Sequence, residues 1–281
     1  MSRSRRPPRA WLGVQPPVDP TELLGPRGLT EDVLAGRGVD DLEDDAQGDP
    51  RSAAGGAPGP GSADRSVDDA FFASLITAQR RARIEAVVSA RLGSVTCVLD
   101  QLIDPHNVAA IVRSAEGLGL CEVHLVPHAA EDHLAHRRVT KDADKWIDLA
   151  HHQTGAGAAR TLRERGFEVW AGHLGGEPRL LEELPADRPI AVLVGNEHEG
   201  PSAATLAACT GTFRIPMAGF TQSFNVSVAA AVTLYQAARA RRAFLGREGD
   251  LGDEARARLR SRYLRLGAKL ARRLTPPSRR T

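Results

Sequence analysis

The chain has 281 residues, enough for one substantial core with extensions or for two small domains. Only 4% of the residues are aromatic and the formal net charge is +2, so a core would have to be packed with aliphatic side chains. No run reaches eighteen apolar residues, which excludes a membrane-spanning helix, and the basic start MSRSRRPPRAWLG is not followed by an apolar signal core, so a cytoplasmic location is expected.

The charge is unevenly distributed along the chain. Residues 1–69 hold 8 Lys/Arg against 13 Asp/Glu, including the run DDLEDD at Asp40–Asp45, and end near the linker-like AAGGAPGPGSAD. Such a stretch buries too little apolar surface to offset its ordering entropy, so a disordered extension is expected, with at most a short helix around Leu29–Leu34. It reads either as an inert or regulatory tail or as a small substrate-recruiting element.

From about Ala70 the pattern turns helical, with Leu75, Ile76, Ile84, Val87 and Val88 at three- and four-residue steps. SVTCVLDQL reads as a strand, Asn107–Leu118 as an amphipathic helix and Cys121–Val126 as the next strand. Residues 129–140 form a polar loop. A further helix ends at Arg165-Gly166, where the glycine suits a C-cap, and FEVWAGHL follows as a strand. The apolar run Ile190–Gly195 fits a parallel strand buried on both faces. Pro201–Ala208 reads as a short helix, GTFRIPM as a short strand and Phe224–Phe244 as a long helix. This alternation predicts an α/β fold with a mostly parallel sheet.

Residues 237–281 hold 14 Lys/Arg against 4 Asp/Glu, and GDEARARLRSRYLRLGAKLARRL predicts an arginine-rich helix with Leu259, Leu264, Leu266, Leu270 and Leu274 as an apolar stripe. A polyanionic partner, RNA first, would suit its basic face, and a packing or subunit role would suit its leucines. The organisation expected is therefore 1–69 as extension, 70–245 as the main domain and 246–281 as a basic helical extension.

Familiar short motifs are missing. There is no GxGxxG and no GKS or GKT. The three cysteines, Cys97, Cys121 and Cys209, lack CxxC spacing, and His133, His136, His151 and His152 read as surface histidines, so neither a disulfide framework nor a metal is expected. What stands out is polar residues placed in apolar segments. Asn107 sits at a strand-to-helix junction, as a cap or a site residue, and Arg113 lies inside an apolar helix, where a semi-buried arginine needs a carboxylate or a ligand. Leu193-Val194-Gly195-Asn196-Glu197-His198-Glu199-Gly200-Pro201 follows an apolar strand, where ligands gather in α/β sheets, although a plain cap-and-turn remains open. There Glu197 is a candidate for fixing a nearby arginine or asparagine. Ser223 and Asn225 open the long helix, to cap it or to face a ligand.

These three segments, in this order, resemble the SpoU branch of the SPOUT methyltransferases. HNVAAIVRSAEGLG stands for its first motif, VLVGNEHEGPS for its second and IPMAGFTQSFNVSVAAAVTLY for its third, over roughly residues 75–245. The phrases DKWIDL and QSFNVSVAAA most resemble the members that methylate the 2′-hydroxyl of guanosine 18 in tRNA. The resemblance implies an α/β knot (a deep trefoil near residues 195–225), a homodimer and S-adenosylmethionine as cofactor. It places the cofactor against Leu193, Val194, Gly195, Ile215 and Met217, with Ser223 and Asn225 nearby. It gives the catalytic roles to Arg113, Asn107, Glu197, Ser223 and Asn225, with Arg113 as general base or as electrostatic clamp. RNA contacts are expected from Arg113, Arg239, Arg241, Arg242 and Arg262. Ribosomal RNA or another tRNA position is the rival substrate, and a non-catalytic RNA-binding module the rival class.

Overall fold

The computed structural model describes residues 69–128 and 145–274. The expectations for residues 1–68, for the 129–140 loop with His133 and His136, and for Asp144 lie outside these residues. Among the described residues, 85–260 form one compact unit, and 69–84 with 261–274 form a second.

The larger unit is built on seven strands: β1 (Val95–Asp100), β2 (Glu122–Val126), β3 (Asp148–His151), β4 (Glu168–Gly172), β5 (Arg179–Leu180), β6 (Ile190–Val194) and β7 (Gly211–Arg214). They form one sheet in the order β3–β2–β1–β6–β4–β7–β5, and every neighbouring pair is parallel. The expected α/β architecture is present. β1 and β6 lie side by side near the centre and are buried throughout, β6 with apolar side chains alone and β1 with Thr96 and Asp100 among its apolar ones.

Strand alternation divides the core into two layers. Val95, Cys97, Leu99, Val192 and Val194 face α2 (Pro105–Gly117) and α5 (Val226–Leu245), whose Val108, Ile111, Leu234 and Ala238 complete that layer. Val98, Val169, Ala191 and Leu193 face α3 (Gly155–Glu164) and α4 (Ala203–Ala208). Asp104 caps α2 by accepting from the His106 amide, and Pro105 occupies a first-turn position where its missing N–H costs nothing. Thr154, Ser202 and Asn225 cap α3, α4 and α5 in the same way.

The strand expected over GTFRIPM stops at Arg214, before Pro216, which has no N–H to give a ladder. β3 and β5 carry no sequence signature, being short and partly exposed at the sheet's margins. His152 is not a plain surface histidine: it is half-buried, with Nε2 2.9 Å from Nδ1 of the buried His124. Glu122 holds the other side of His124 and also accepts from Arg165. Burial alone would raise the Glu122 carboxyl, but these two partners bring it down to about 2.

Two arginines expected on RNA are instead structural. Arg241 is buried and donates to Ser94 Oγ at 2.8 Å and to the Ala186 carbonyl at 3.0 Å. Arg242 donates to the carbonyls of Ala90, Leu118 and Glu248 at 3.1, 2.9 and 2.8 Å. With Asp250, which accepts from the Gly93 amide at 2.6 Å, they fasten the end of α5 beneath the start of β1. Arg239 is exposed and Arg262 partly buried.

In the smaller unit the early part of α1 (Ala78–Ser89) and the later part of α6 (Asp253–Leu274) share an apolar contact of Ile76 and Ile84 around Gly267. Tyr263, Leu264 and Ala268 form the buried stripe there, with Leu264 the expected member. Among the described residues no helix is long and apolar enough to cross a membrane.

Candidate active site

Because all strands run parallel, their carboxyl ends lie along one edge of the sheet, where loops can converge on a ligand. The three sequence segments meet there. Glu197, in the loop after β6, accepts from the Ile103 amide at 3.0 Å, the Asp104 amide at 3.3 Å and Asn107 Nδ2 at 3.0 Å. Asn107 Oδ1 accepts from Asn225 Nδ2 at 3.2 Å. Asn225 Oδ1 accepts from the Ser227 amide at 2.9 Å and its hydroxyl at 2.6 Å. Partial burial would raise the Glu197 carboxyl, but the Ile103 amide, the Asn107 side chain and the Asp104 amide together hold it below the usual glutamate range. Asn107 is itself buried, and its amide has both ends engaged between a carboxylate and a second amide. Its orientation is thereby fixed.

A second set of contacts shapes the loop itself. Asn196 Nδ2 donates to the Gln101 carbonyl at 3.1 Å, and Asn196 Oδ1 accepts from the His198 amide at 2.9 Å and the Glu199 amide at 3.3 Å. Gln101 has φ +58°, a left-handed conformation that costs energy in a non-glycine residue, at the point where the chain turns from β1 toward α2. The buried Asp100 accepts from Thr205 Oγ1 at 3.1 Å and ties the end of β1 to α4. Gly195 is required by close approach: a Cβ there would lie 2.3 Å from the Pro201 nitrogen and 2.5 Å from the Gly200 carbonyl carbon. The loop therefore folds back closely over Gly195, which is buried.

Beside this loop, across the ends of β4, β6 and β7, lies a cavity of about 410 Å³. Of the residues expected to touch a cofactor, Val194, Gly195, Ile215, Met217, Ser223 and Asn225 line it. Leu193 does not; its side chain is fully buried in the α3/α4 layer. Glu197 lines the cavity and Asn107 stands behind it, joined through Glu197 and Asn225. Arg113 is absent from the wall. It is exposed on α2 rather than semi-buried, because six residues from Asn107 turn it to a different helix face. Among the described residues it has no carboxylate partner.

Several residues of the wall were not among the candidates named from the sequence. Gly172–Leu174, after β4, and Arg214, at the end of β7, form part of the wall. Gln222 and Phe224 add to it from the segment before α5. The signal for the first two was positional, since both stand where β4 and β7 end at the same edge of the sheet.

Residues 94–235 match the SpoU rRNA Methylase family over half of the chain. The chain belongs to that family. This SpoU protein is 39% identical over 165 residues to the tRNA (guanosine(18)-2′-O)-methyltransferase of Thermus thermophilus, covering 59% of this chain and 84% of that relative. It is 35% identical over 163 residues to the enzyme of the same name from Escherichia coli K12, covering 58% and 70%. Among solved structures, the A. aeolicus TrmH/SpoU tRNA modifying enzyme superposes with a TM-score of 0.60 at 25% identity, over 67% of this chain and 96% of that one. The family match takes in the first two segments and the third as far as Tyr235, so the hydrogen-bonded set Glu197–Asn107–Asn225 lies wholly inside it.

Proposed function

We propose that this SpoU protein transfers the methyl group of S-adenosylmethionine to a ribose 2′-hydroxyl in RNA, and that its target is guanosine 18 in the D-loop of tRNA. The observation that carries the reading is the Glu197–Asn107–Asn225 set beside an open cavity at the strand ends. The relatives named for guanosine 18 support the finer choice of substrate.

The cavity suits the cofactor in size and chemistry. Its volume is in the range of small-molecule sites, and Val194, Ile215, Met217 and Phe224 offer apolar walls for a purine. The Gly195 backbone in the cavity wall and the side chains of Ser223 and Asn225 would offer polar contacts, which would allow recognition without a glycine-rich fingerprint. When bound, S-adenosylmethionine supplies a methyl group already activated by its sulfonium charge. What remains for the protein is to align the hydroxyl oxygen and manage one proton. Asn107, held between Glu197 and Asn225, keeps the cavity wall in one arrangement. Arg113 orients the ribose and an adjacent phosphate, or accepts the hydroxyl proton through that phosphate. Because arginine stays protonated in proteins, the orienting role fits its chemistry better.

A second copy of the chain is part of this proposal. Val228, Val232 and Tyr235 are exposed at helical spacing along one side of α5, Phe224 is exposed just before it, and Ala110 and Arg113 are exposed on α2, which packs against α5. An apolar stripe of this kind suits a symmetric subunit contact, which would bring Arg113 of one copy toward the cavity of the other. We further infer that the chain is knotted around residues 195–225, that 70–245 act as the catalytic domain in the cytoplasm, and that the basic 246–281 extension, with Arg239 and Arg262, holds tRNA. The family's ribosomal name keeps rRNA as the second substrate reading.

The test is methyl transfer to an unmodified tRNA transcript and to the same RNA carrying a 2′-O-methyl group at position 18. Loss of transfer to the blocked RNA is expected; retained transfer would place the target elsewhere.

A further inference from the structure

The mechanism above leaves one charged group of the cavity without a task. Arg214 ends β7, where its backbone pairs with Leu180 of β5, and it is a lining residue of the cavity that remains exposed. It is the only lysine or arginine among the lining residues. Among the described residues its guanidinium has no hydrogen bond or ion pair. The anionic group of the same wall, Glu197, makes no ion pair with it and accepts instead from Ile103, Asp104 and Asn107. The other arginines near the ends of α5 contrast with it, since Arg241 and Arg242 are bonded to backbone carbonyls.

An uncompensated guanidinium at the rim of a largely apolar cavity favours a ligand with an oxyanion and disfavours one with only positive charge there. A methyl donor of this class carries a sulfonium and an ammonium, so Arg214 would repel it in any pose that does not turn its carboxylate toward β7. An RNA phosphodiester beside the reacting ribose presents the same chemistry. We infer that Arg214 is the oxyanion-holding residue of this site, fixing the pose of one ligand through a carboxylate or phosphodiester oxygen pair. This assignment rests on the methyltransferase reading for the identity of its ligands and on the cavity geometry for the residue.

The experiment uses the full chain with Arg214→Gln and Arg214→Lys. Arg214 is exposed and unbonded, so both variants should unfold at the wild-type midpoint, which is measured alongside. Calorimetry gives Kd for S-adenosylhomocysteine and for 5′-methylthioadenosine, which lacks the amino-acid carboxylate. Filter-bound methyl transfer gives KM for an unmodified tRNA transcript at several salt concentrations. If the carboxylate is the partner, R214Q weakens S-adenosylhomocysteine roughly ten-fold or more and leaves 5′-methylthioadenosine unchanged. If a phosphate is the partner, R214Q raises KM for tRNA by a similar factor and lowers the salt slope by roughly 0.7–0.9, with S-adenosylhomocysteine unaffected. In either case R214K, which keeps the charge and loses the planar fork, falls between.

All ligand constants staying within about two-fold of wild type in R214Q would overturn the assignment. So would a wild-type chain that binds neither adenosine probe and methylates no RNA. Weakened S-adenosylhomocysteine binding without transfer to any RNA would leave Arg214 in its role and remove the methyltransferase reading instead.

Discussion

Asn107 holds the arrangement of the candidate site together, since both ends of its amide are engaged and each partner belongs to a different segment of the chain. Its removal leaves Glu197 short of one donor and Asn225 short of its acceptor. A hydrogen bond to a charged group is worth about 1.5–3 kcal/mol, so Asn107→Ala should lower methyl transfer by roughly ten- to a hundred-fold, as steady-state kinetics will read. Glu197 makes a pH-dependent contribution of definite sign. Its carboxyl is depressed in the folded chain, so the stability it adds is fully present above the ordinary glutamate range and is lost as pH falls through the depressed value. Denaturant melts should therefore show wild type more stable than Glu197→Gln near neutrality, with the gap closing in acid. A gap that widened in acid would contradict the assignment. Sequence reading found Asn107, Glu197 and Asn225 because polar residues interrupt apolar runs there. It misplaced Arg113, Arg241 and Arg242, because spacing along a helix does not say which face a neighbouring element will cover, and the two α5 arginines find carbonyl partners more than fifty residues away.

For the elements, the buried strands β1 and β6 were legible, β6 as a continuous apolar run that suits a doubly covered sheet and β1 as a mostly apolar one. β3 and β5 were not, since short marginal strands follow from their neighbours' edges rather than from their own residues. The loop between β6 and α4 is held by the side chains of Asn196 and Glu197 and by a close backbone approach at Gly195. Gly195→Ala should force a methyl group into the Pro201 and Gly200 backbone and cost about 1–3 kcal/mol as a clash that only loop movement can relieve. The expected result is a chain that still folds, by circular dichroism, but binds S-adenosylhomocysteine far more weakly in calorimetry. The exposed stripe of α5 has its own test. Tyr235→Asp combined with Val232→Asp should convert a dimer to a monomer in sedimentation, because each charge would have to be buried unpaired. An unchanged molecular mass would remove the stripe from the subunit contact.

Over the whole molecule, the larger unit carries every residue of the candidate site, from Asn107 to Asn225. Its parallel sheet places four strand ends, those of β1, β4, β6 and β7, around one cavity and its supporting hydrogen bonds, and this is why three segments distant in sequence act as one. That convergence was foreseeable only through likeness to a known family, since neither periodicity nor composition specifies which strands become neighbours. The Arg113 position makes a further statement about the assembled protein. Arg113→Ala and Asn225→Ala should each abolish transfer, yet mixing the two after co-refolding should restore a fraction of it if one subunit's Arg113 serves its partner's cavity; silence in the mixture would keep Arg113 within its own chain. The most direct test of the central claim is transfer from radiolabelled S-adenosylmethionine to unmodified total tRNA and rRNA, followed by nuclease mapping of the labelled nucleotide. Label on a ribose 2′-oxygen, at guanosine 18 of tRNA, is the predicted result, and label on a base or on no RNA fraction would contradict it.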